Sequence, residues 1–470
     1  MIRTAFQRST PTRRIVHSNV VTLRCNLQKE GLPQPTRSNL LRKKHTSTRT
    51  KSTLSTPLSE ASTSTMKRLP FKVHLPLSVT HNPNVAAGAL CLGTAGIILS
   101  LISVGGLTRL TKSGLSMVHW SPHRVSPPTS REEWESEFSI YKTYPEWQQR
   151  QSMTLEEFKY IFYWEWGHRI LGRVVGTVYG GGLLALAVTK KIPVGYGPRL
   201  FGLLALGGAQ GAVGWWMVKS GLEEGRRGDK KEIRVSPYRL AAHLCTAVAT
   251  YSGLVWTGLE LLYPEAERRQ AAKIVQDRLA ELPNLEAKEV LGKLRGLRGS
   301  VALTTGLTFL TLASGAFVAG NSAGNAYNDW PLFNGEVIPW EDMMNEEGEG
   351  VWKVFENTAL VQFDHRMLAY ATTAAVGMTL MRGRGVMKGR IGDLRLISTQ
   401  SRYGLGAMGA ATAGQVSLGV ATLMNNVPIE LAAMHQLGSV AVLSTGLWTL
   451  NGMRYLGLRG GKEVVKKVAK

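Results

Sequence analysis

Long apolar segments alternate with shorter polar ones along most of the chain. Eight segments are poor in charge and about 20 residues long, which is the length that a helix needs to cross the hydrocarbon core of a bilayer. Several contain many small residues, which let helices approach closely in lipid. The segments are 86–106, 169–189, 198–218, 239–262, 299–320, 358–381, 403–424 and 431–453. The pattern predicts an all-α polytopic membrane protein with eight transmembrane helices.

The second half of this pattern repeats the first. Three pairs of motifs recur at similar spacing: EWGHR at 165–169 with QFDHR at 362–366, QGAVG at 210–214 with QVSLG at 415–419, and RLAAHL at 239–244 with LAAMHQL at 431–437. Because each copy has an even number of helices, the two copies run parallel in the membrane. We therefore predict two tandem four-helix bundles, 85–262 and 299–455. A charged connector, 263–298, joins them, and we expect a solvated linker helix there rather than a binding element.

Charge is concentrated at the two ends of the chain. The formal net charge is +23, and residues 1–68 contain fourteen Lys and Arg but only two Glu, among many Ser and Thr. This composition is typical of a mitochondrial transit peptide that does not fold. The alternative is a disordered nucleic-acid-binding arm. We expect no nucleic-acid partner, because a membrane protein follows directly. The C-terminal tail, 456–470, is also basic.

The loops differ in charge between the two sides of the membrane. The loops after the second and sixth predicted spans are basic, whereas 321–350 contains seven acidic residues and no Lys or Arg. The positive-inside rule places the basic loops, the connector and both termini on the same side. We therefore expect a multi-pass protein of the mitochondrial inner membrane with its N- and C-termini in the matrix.

Four histidines occupy matching places in the repeat. His168 and His365 lie at the start of the second and sixth predicted spans, and His243 and His435 at the start of the fourth and eighth. Even-numbered spans run in one direction, so all four imidazoles would lie near the face opposite the matrix. A lone histidine at a helix end is usually an interface residue. Matched pairs instead predict that each half holds one haem iron between two imidazoles.

The remaining histidines and the cysteines do not follow the repeat. His119 and His123 lie in the loop after the first span, where we expect no ligand role. The three cysteines are Cys25, Cys91 and Cys245, and no CxxC motif occurs. Neither covalent haem attachment nor structural disulfides are therefore expected.

Charged residues accompany the histidines, and they differ between the halves. Arg169 and Arg366 follow a histidine directly. A guanidinium can bind a haem propionate with two donors, although snorkelling to the headgroups is the alternative. Glu165 precedes His168 by one turn, whereas its counterpart is Gln362. A carboxylate beside a metal ligand near a membrane is a candidate for chemistry, the alternative being a surface acid. The difference predicts catalysis in the first half and electron transfer in the second.

Four of these motifs together resemble the mitochondrial haem A synthases over roughly residues 85–455: EWGHRILGR, GGLTRLTKSGLSM at 105–117, QFDHR and MHQ. The resemblance implies an oxidoreductase with eight spans and two haem sites on the intermembrane-space side. Such an enzyme oxidises the C8 methyl of haem O to the formyl of haem A, through successive hydroxylations, for cytochrome c oxidase assembly.

The resemblance also implies roles for individual residues. It assigns haem O as substrate to His168 and His243, haem b as cofactor to His365 and His435, and catalysis to Glu165. By the propionate argument above, Arg169 would then bind the substrate haem and Arg366 the cofactor haem. It implies a ferredoxin as electron donor and haem O synthase as a partner, and it leaves homo-oligomerisation open. Some bacterial members carry a cysteine pair in the first outer loop. This chain has no cysteine there, so a mechanism using that pair is not expected.

Two other classes of protein fit part of the pattern. A di-haem membrane electron carrier of the cytochrome b type would need the four histidines, but it has no need of an acid in one half only. A transporter built from tandem repeats would explain the duplication but not the histidines. The difference between Glu165 and Gln362 therefore favours the enzyme.

Overall fold

The computed structural model describes residues 83–117, 125–223, 233–263, 265–345, 352–388, 392 and 395–456. These residues form twelve α-helices and no β-strand, so the prediction of an all-α fold is confirmed for them. The predicted transit segment, the basic tail after Leu456, and the loop histidines His119 and His123 lie outside the described residues.

Eight of the helices are at least 23 residues long, and each overlaps one predicted span. They are α1 (Pro83–Leu110), α3 (Leu155–Val188), α4 (Gly197–Lys219), α5 (Pro237–Leu262), α7 (Asn284–Asn321), α10 (Thr358–Met387), α11 (Thr399–Met424) and α12 (Ile429–Gly452). The shorter helices are α2 (Arg131–Tyr141), α6 (Glu265–Ala280), α8 (Trp340–Asn345) and α9 (Lys353–Glu356).

Five of the long helices, α1, α3, α4, α7 and α11, are long and apolar enough to cross a membrane. The other three, α5, α10 and α12, have comparable lengths but are not among the helices that are apolar enough by composition. Length and hydropathy therefore support five spans in the described part of the chain.

Helix α3 begins earlier than the hydrophobic pattern predicts. Thr154 and Glu157 form a capping box: the Glu157 N–H donates to the Thr154 hydroxyl, and the Thr154 N–H donates to the Glu157 carboxylate. His168 therefore lies thirteen residues inside the helix, roughly 20 Å from its first residue, rather than at its start. The helix therefore extends beyond the N-terminal end of the predicted span, because the preceding turns are aromatic and amphipathic rather than uniformly apolar.

These extra turns of α3 have their own apolar partner in the first outer loop. Phe158, Ile161 and Phe162 pack against Trp134 and Phe138 of α2. The Trp134 and Phe162 rings meet edge to face, with centroids 5.0 Å apart. The loop between α1 and α3 is thus folded onto the end of α3 that lies before His168.

One face of helix α6, in the connector between the predicted halves, is packed against protein. Ala271, Val275 and Leu279 of α6 recur every four residues and are fully buried. They belong to one apolar cluster with second-half residues such as Leu405. Helix α7 also continues unbroken through residue 298, so the predicted boundary at 298/299 falls inside a helix. The expectation of a solvated linker is therefore wrong for this face of α6.

The helix contacts follow the repeat. In the first half α1 packs against α3 and α5, and α4 packs against α5. In the second half α7 packs against α10 and α12, and α11 packs against α12. The most extensive helix contacts between the halves are those of α1 with α12, α5 with α7, and α5 with α12. Under the repeat, the contact of α1 with α12 is equivalent to that of α7 with α5, and the contact of α5 with α12 is equivalent to itself. The helix contacts therefore have an approximate two-fold symmetry.

Candidate functional site

The four candidate histidines meet in two pairs, one in each half. His168 of α3 faces His243 of α5, with ring centroids 6.4 Å apart and ring planes 72° apart. His365 of α10 faces His435 of α12, with centroids 6.5 Å apart and planes 83° apart. The structure therefore brings the four residues together in the combinations that the repeat indicates.

The spacing of the pairs suits a metal held between two imidazoles. When two imidazole nitrogens ligate one metal ion from opposite sides with bonds of about 2 Å, the ring centroids lie roughly 6 Å apart. No group of three or more His, Cys, Asp or Glu able to hold a bare metal ion occurs among the described residues. A metal between these pairs would need its other ligands from a macrocycle, as the iron of a haem has.

A glycine on a neighbouring helix lies against each imidazole. A Cβ atom added to the glycine would fall between 2.7 and 3.2 Å from Cε1 of the ring, too close for the ring to keep its place. The four pairs are Gly105 with His168 (2.7 Å), Gly214 with His243 (2.9 Å), Gly315 with His365 (3.2 Å) and Gly419 with His435 (2.8 Å). We call these four residues the seat glycines.

The seat glycines occupy equivalent positions of the repeat, on α1 and α7 and on α4 and α11. The sequence motifs QGAVG and QVSLG end on two of them, but the pattern alone indicated only the duplication and no role for the glycines. A matched glycine on the helix before each histidine is a signal that could have found them.

Polar side chains also touch the imidazoles. The side-chain amide of Gln210 lies 3.0 Å from Nδ1 of His243 and donates to the His243 carbonyl at 2.8 Å. The hydroxyl of Ser314 lies 2.7 Å from Nδ1 of His365. The Ser314 hydroxyl donates to the Thr311 carbonyl at 2.8 Å, so it can accept the Nδ1 proton of His365 and leave Nε2 as the metal-binding nitrogen. The sequence did not single out Gln210 or Ser314.

Glu165 is buried, and both of its carboxylate oxygens have partners. Its side chain is 4% exposed. Oε2 accepts hydrogen bonds from the Ser116 hydroxyl and the Met117 N–H, both at 2.8 Å, while Oε1 pairs with Arg169 at 2.6 Å. Arg169 in turn donates to the Met117 carbonyl. Glu165 is therefore no surface acid, since it ties α3 to the loop that follows α1.

In the second half Gln362 holds the equivalent loop, but hydrogen-bond donors and acceptors are exchanged between the side chain and the loop. Gln362 is 2% exposed, and its Nε2 donates to the carbonyls of Ala323 at 2.7 Å and Tyr327 at 3.3 Å. Its Oε1 accepts a hydrogen bond from Arg366 at 3.0 Å. Tyr327 lies 210 residues after Met117, as Gly315 does after Gly105, so the two loops are equivalent. Donors of the loop surround a carboxylate in the first half, and acceptors surround an amide in the second.

Arg366 holds the second-half loop in place. It donates to the carbonyls of Leu332, Tyr327 and Asp329, and its guanidinium lies 4.0 Å from the centroid of the Phe333 ring. The residue is 7% exposed, which excludes the alternative of snorkelling to the headgroups. Both arginines thus fasten the loop that adjoins a histidine pair.

The chain is similar to proteins that assemble cytochrome oxidase. A family model described as cytochrome oxidase assembly protein, COX15-CtaA, matches residues 88–447. "Heme A synthase COX15" of Bos taurus is 41% identical over 372 residues, which cover 78% of this chain and 82% of that protein. "Heme A synthase" of Ruegeria pomeroyi is 39% identical over 352 residues, covering 74% and 83%.

A third relative is longer than this chain. The "Heme A synthase-mitochondrial ferredoxin fusion protein" of Schizosaccharomyces pombe is 38% identical over 368 residues. The match covers 76% of this chain but only 58% of the fusion protein. The region that the family model matches includes all four histidines, the seat glycines and Glu165.

Proposed function

The chain belongs to the COX15-CtaA family of cytochrome oxidase assembly proteins, and on that premise we propose how its two halves divide the work of a haem A synthase. Haem A synthesis is its function, since relatives at about 40% identity over most of the chain carry that name. The proposal is that the enzyme is an oxidoreductase that converts the C8 methyl of haem O to the formyl of haem A.

The observation that carries the proposal is the geometry of the two histidine pairs. Both pairs have the spacing of axial ligands, and each imidazole rests on a seat glycine. We propose that His168 and His243 hold the substrate haem O. His365 and His435 hold a resident haem b. When bound, the haem irons supply the redox chemistry that amino-acid side chains lack.

Glu165 supports the assignment of catalysis to the first half. It brings a buried carboxylate within one turn of His168, where the second half has only an amide. Its partners Ser116, Met117 and Arg169 fix the carboxylate in place. A fixed carboxylate can orient the substrate, accept a proton or stabilise developing positive charge near the reacting methyl.

Arg169 and Arg366 are proposed as partners of the haem propionates. A guanidinium carries five N–H donors in a planar fork that matches a carboxylate, and each of these two arginines directly follows a histidine of a pair. An arginine held in this way would bind a propionate of the haem that is proposed for the histidine preceding it in the sequence.

We propose an arrangement of eight membrane spans in two four-helix bundles, 85–262 and 299–455, with 263–298 between them on the matrix side. The five apolar helices, the comparable lengths of α5, α10 and α12 and the symmetric contacts support it. Residues 1–68 would be a mitochondrial transit peptide, 456–470 a basic matrix tail, and the protein would lie in the inner membrane with both termini in the matrix.

The electron donor is proposed to be a ferredoxin. The relative from Schizosaccharomyces pombe is named as a fusion with a mitochondrial ferredoxin, which supports such a partner for this chain. Haem O synthase, the enzyme that makes the substrate, is a second proposed partner. The alternative of a di-haem electron carrier is not favoured, because the relatives are named for haem A synthesis.

Expression of the chain in cells that make haem O but lack their own haem A synthase tests the proposal. Chromatography of extracted haems should show haem A in these cells and haem O alone in cells with empty vector. His243→Ala should abolish haem A formation at a normal protein level. If cells in which the wild-type chain is inserted in the membrane still contain haem O and no haem A, the proposed activity is contradicted.

A further inference from the structure

One side chain of the second half fits into the first half between the two histidine pairs. Gln436 of α12 lies against Gly106 of α1, and a Cβ added to that glycine would fall 2.8 Å from Cδ of the glutamine and in collision with its Oε1. The amide Nε2 of Gln436 donates to the Ile102 carbonyl at 3.2 Å. Ile102 is 5% exposed, so the contact is internal to the helix packing.

This contact joins one residue of each histidine pair by a short path. Gln436 directly follows His435, a member of the second-half pair. Gly106 directly follows Gly105, the seat glycine of His168 in the first-half pair. The path between His435 and the seat glycine Gly105 therefore consists of one peptide bond to Gln436, the Gln436 side chain, and one peptide bond from Gly106.

The contact breaks the symmetry of the repeat. The residue equivalent to Gln436 is Leu244, 192 positions earlier, and the residue equivalent to Gly106 is Ala316, 210 positions later. Leu244 is apolar and packs with a hydrophobic cluster, so it cannot make the amide contact. The glutamine and its glycine pocket thus occur at only one of the two equivalent junctions, the one that joins α12 to α1.

We propose that Gln436 is a positioning residue that couples the two sites, holding the turn of α12 that carries His435 in register with the turn of α1 that carries Gly105. The inference rests on the proposed function, because it takes both pairs as haem ligands. Its consequence is that the orientation of His168, and so the placement of the substrate, depends on the docking of the second half. A misplacement of about 1 Å can lower a rate on the order of a hundredfold.

A set of four variants in full-length protein tests this coupling. Gly106→Ala fills the pocket without touching a histidine, and Gln436→Ala removes the side chain that occupies it. The double variant restores the room, because the shortened side chain at 436 no longer meets the added methyl. Gly96→Ala is the control, since Gly96 lies on the same helix with no atom within 4 Å of an added Cβ.

Two readouts follow the two sites separately. The ratio of haem A to haem O in extracts reports the first half. The EPR signal per low-spin ferric haem b in purified protein reports the second, because that signal depends on the angle between the axial imidazole planes, here 83°. A residue with a merely structural role would lower the yield of protein without shifting the signal of each haem.

Gly106→Ala should lower haem A formation by about tenfold or more and should shift the EPR signal. Gln436→Ala should have a smaller effect, and the double variant should match Gln436→Ala rather than Gly106→Ala. The proposal is overturned if Gln436→Ala matches wild-type protein in both readouts, if Gly106→Ala behaves like Gly96→Ala, or if the double variant is as impaired as Gly106→Ala. Absence of haem b and haem A from wild-type protein would instead contradict the proposed function itself.

Discussion

At the scale of single residues, Glu165 has two roles that must be separated. It is a buried carboxylate beside a predicted haem ligand, and it anchors a loop through Ser116 and Met117. Breaking a buried ion pair such as that of Glu165 with Arg169 destabilises a protein by about 3–5 kcal/mol when one charge is left unpaired. A test of its chemistry therefore needs an independent report that the fold survives.

The first prediction is that Glu165→Gln blocks the conversion of haem O to haem A but leaves haem b in place. The substitution keeps the shape of the side chain and removes its charge, whereas the proposed site of the resident haem lies in the other half. The measurement is chromatography of haems extracted from cells, with the haem b content of purified protein as the report on folding. Normal haem A without accumulation of haem O would reduce Glu165 to a loop anchor.

The second prediction concerns the seat glycines. Gly419→Ala should reduce the haem b bound per protein, because the added methyl lies 2.8 Å from His435 and displaces the ring. Gly315→Ala should reduce it less, since the corresponding distance is 3.2 Å. Alanine is otherwise favoured over glycine in a helix by about 1 kcal/mol, so a loss cannot come from helix propensity.

Two glycines on the same helices serve as controls for the second prediction. Gly414 on α11 and Gly306 on α7 have no atom within 4 Å of an added Cβ. Their alanine variants should retain the wild-type ratio of haem to protein, measured by the pyridine haemochrome spectrum. Equal ratios in all four variants would show that the glycines do not determine how the imidazoles are seated.

The sequence indicated the histidines, the arginines and the acid, because each stands in a motif that recurs in the second half. It did not indicate the glycines as seats, because a glycine has no side chain and its importance depends on what faces it. Nor could it show that Gln362 and Glu165 hold equivalent loops. That equivalence depends on whether the loop turns its backbone N–H groups or its backbone carbonyls towards the side chain. Every residue has both groups, so the sequence does not show which of them faces the side chain.

At the scale of helices, hydrophobic runs marked where the long helices lie but not where they begin. Helix α3 extends to Leu155 through aromatic and polar turns that pack on α2, and α7 extends back to Asn284 through an amphipathic segment. A search for uniform apolar stretches passes over such turns, because their buried faces are met by protein rather than lipid.

The third prediction is that α6 stabilises the second half. Leu279 is fully buried in the cluster that includes Leu405 of α11. Leu279→Ala should destabilise this half by about 2–5 kcal/mol and lower the temperature at which detergent-solubilised protein releases haem b. Lys273→Ala on the exposed face of α6 is the control and should change stability by less than about 0.5 kcal/mol. If Leu279→Ala protein releases haem b at the same temperature as wild-type protein, α6 is better described as a solvated linker.

At the scale of the whole molecule, the two halves are held together by the first and fourth helices of each. One link between them is the hydrogen bond of the Tyr251 hydroxyl with Ser444, at 2.8 Å, between α5 and α12. The duplication was evident from the motifs. It was not evident which helices form the junction, because the repeat shows which helices are equivalent but not which helices contact each other.

The fourth prediction is that the C-terminus faces the matrix, since the basic tail follows the eighth long helix. Protease added to mitoplasts should leave a C-terminal tag intact, and permeabilising the inner membrane should expose it. A tag placed in the acidic segment 346–351 should behave in the opposite way and serves as the control. Loss of the C-terminal tag from sealed mitoplasts would overturn the proposed topology.

The central claim is that each histidine pair holds its own haem, one resident and one substrate. The most direct test is the haem content and haem type of purified wild-type, His435→Ala and His243→Ala proteins, measured side by side with the reduced-minus-oxidised spectrum and by chromatography. We predict that His435→Ala lacks haem b, while His243→Ala keeps haem b and makes no haem A. A wild-type haem b content in His435→Ala protein would contradict the account.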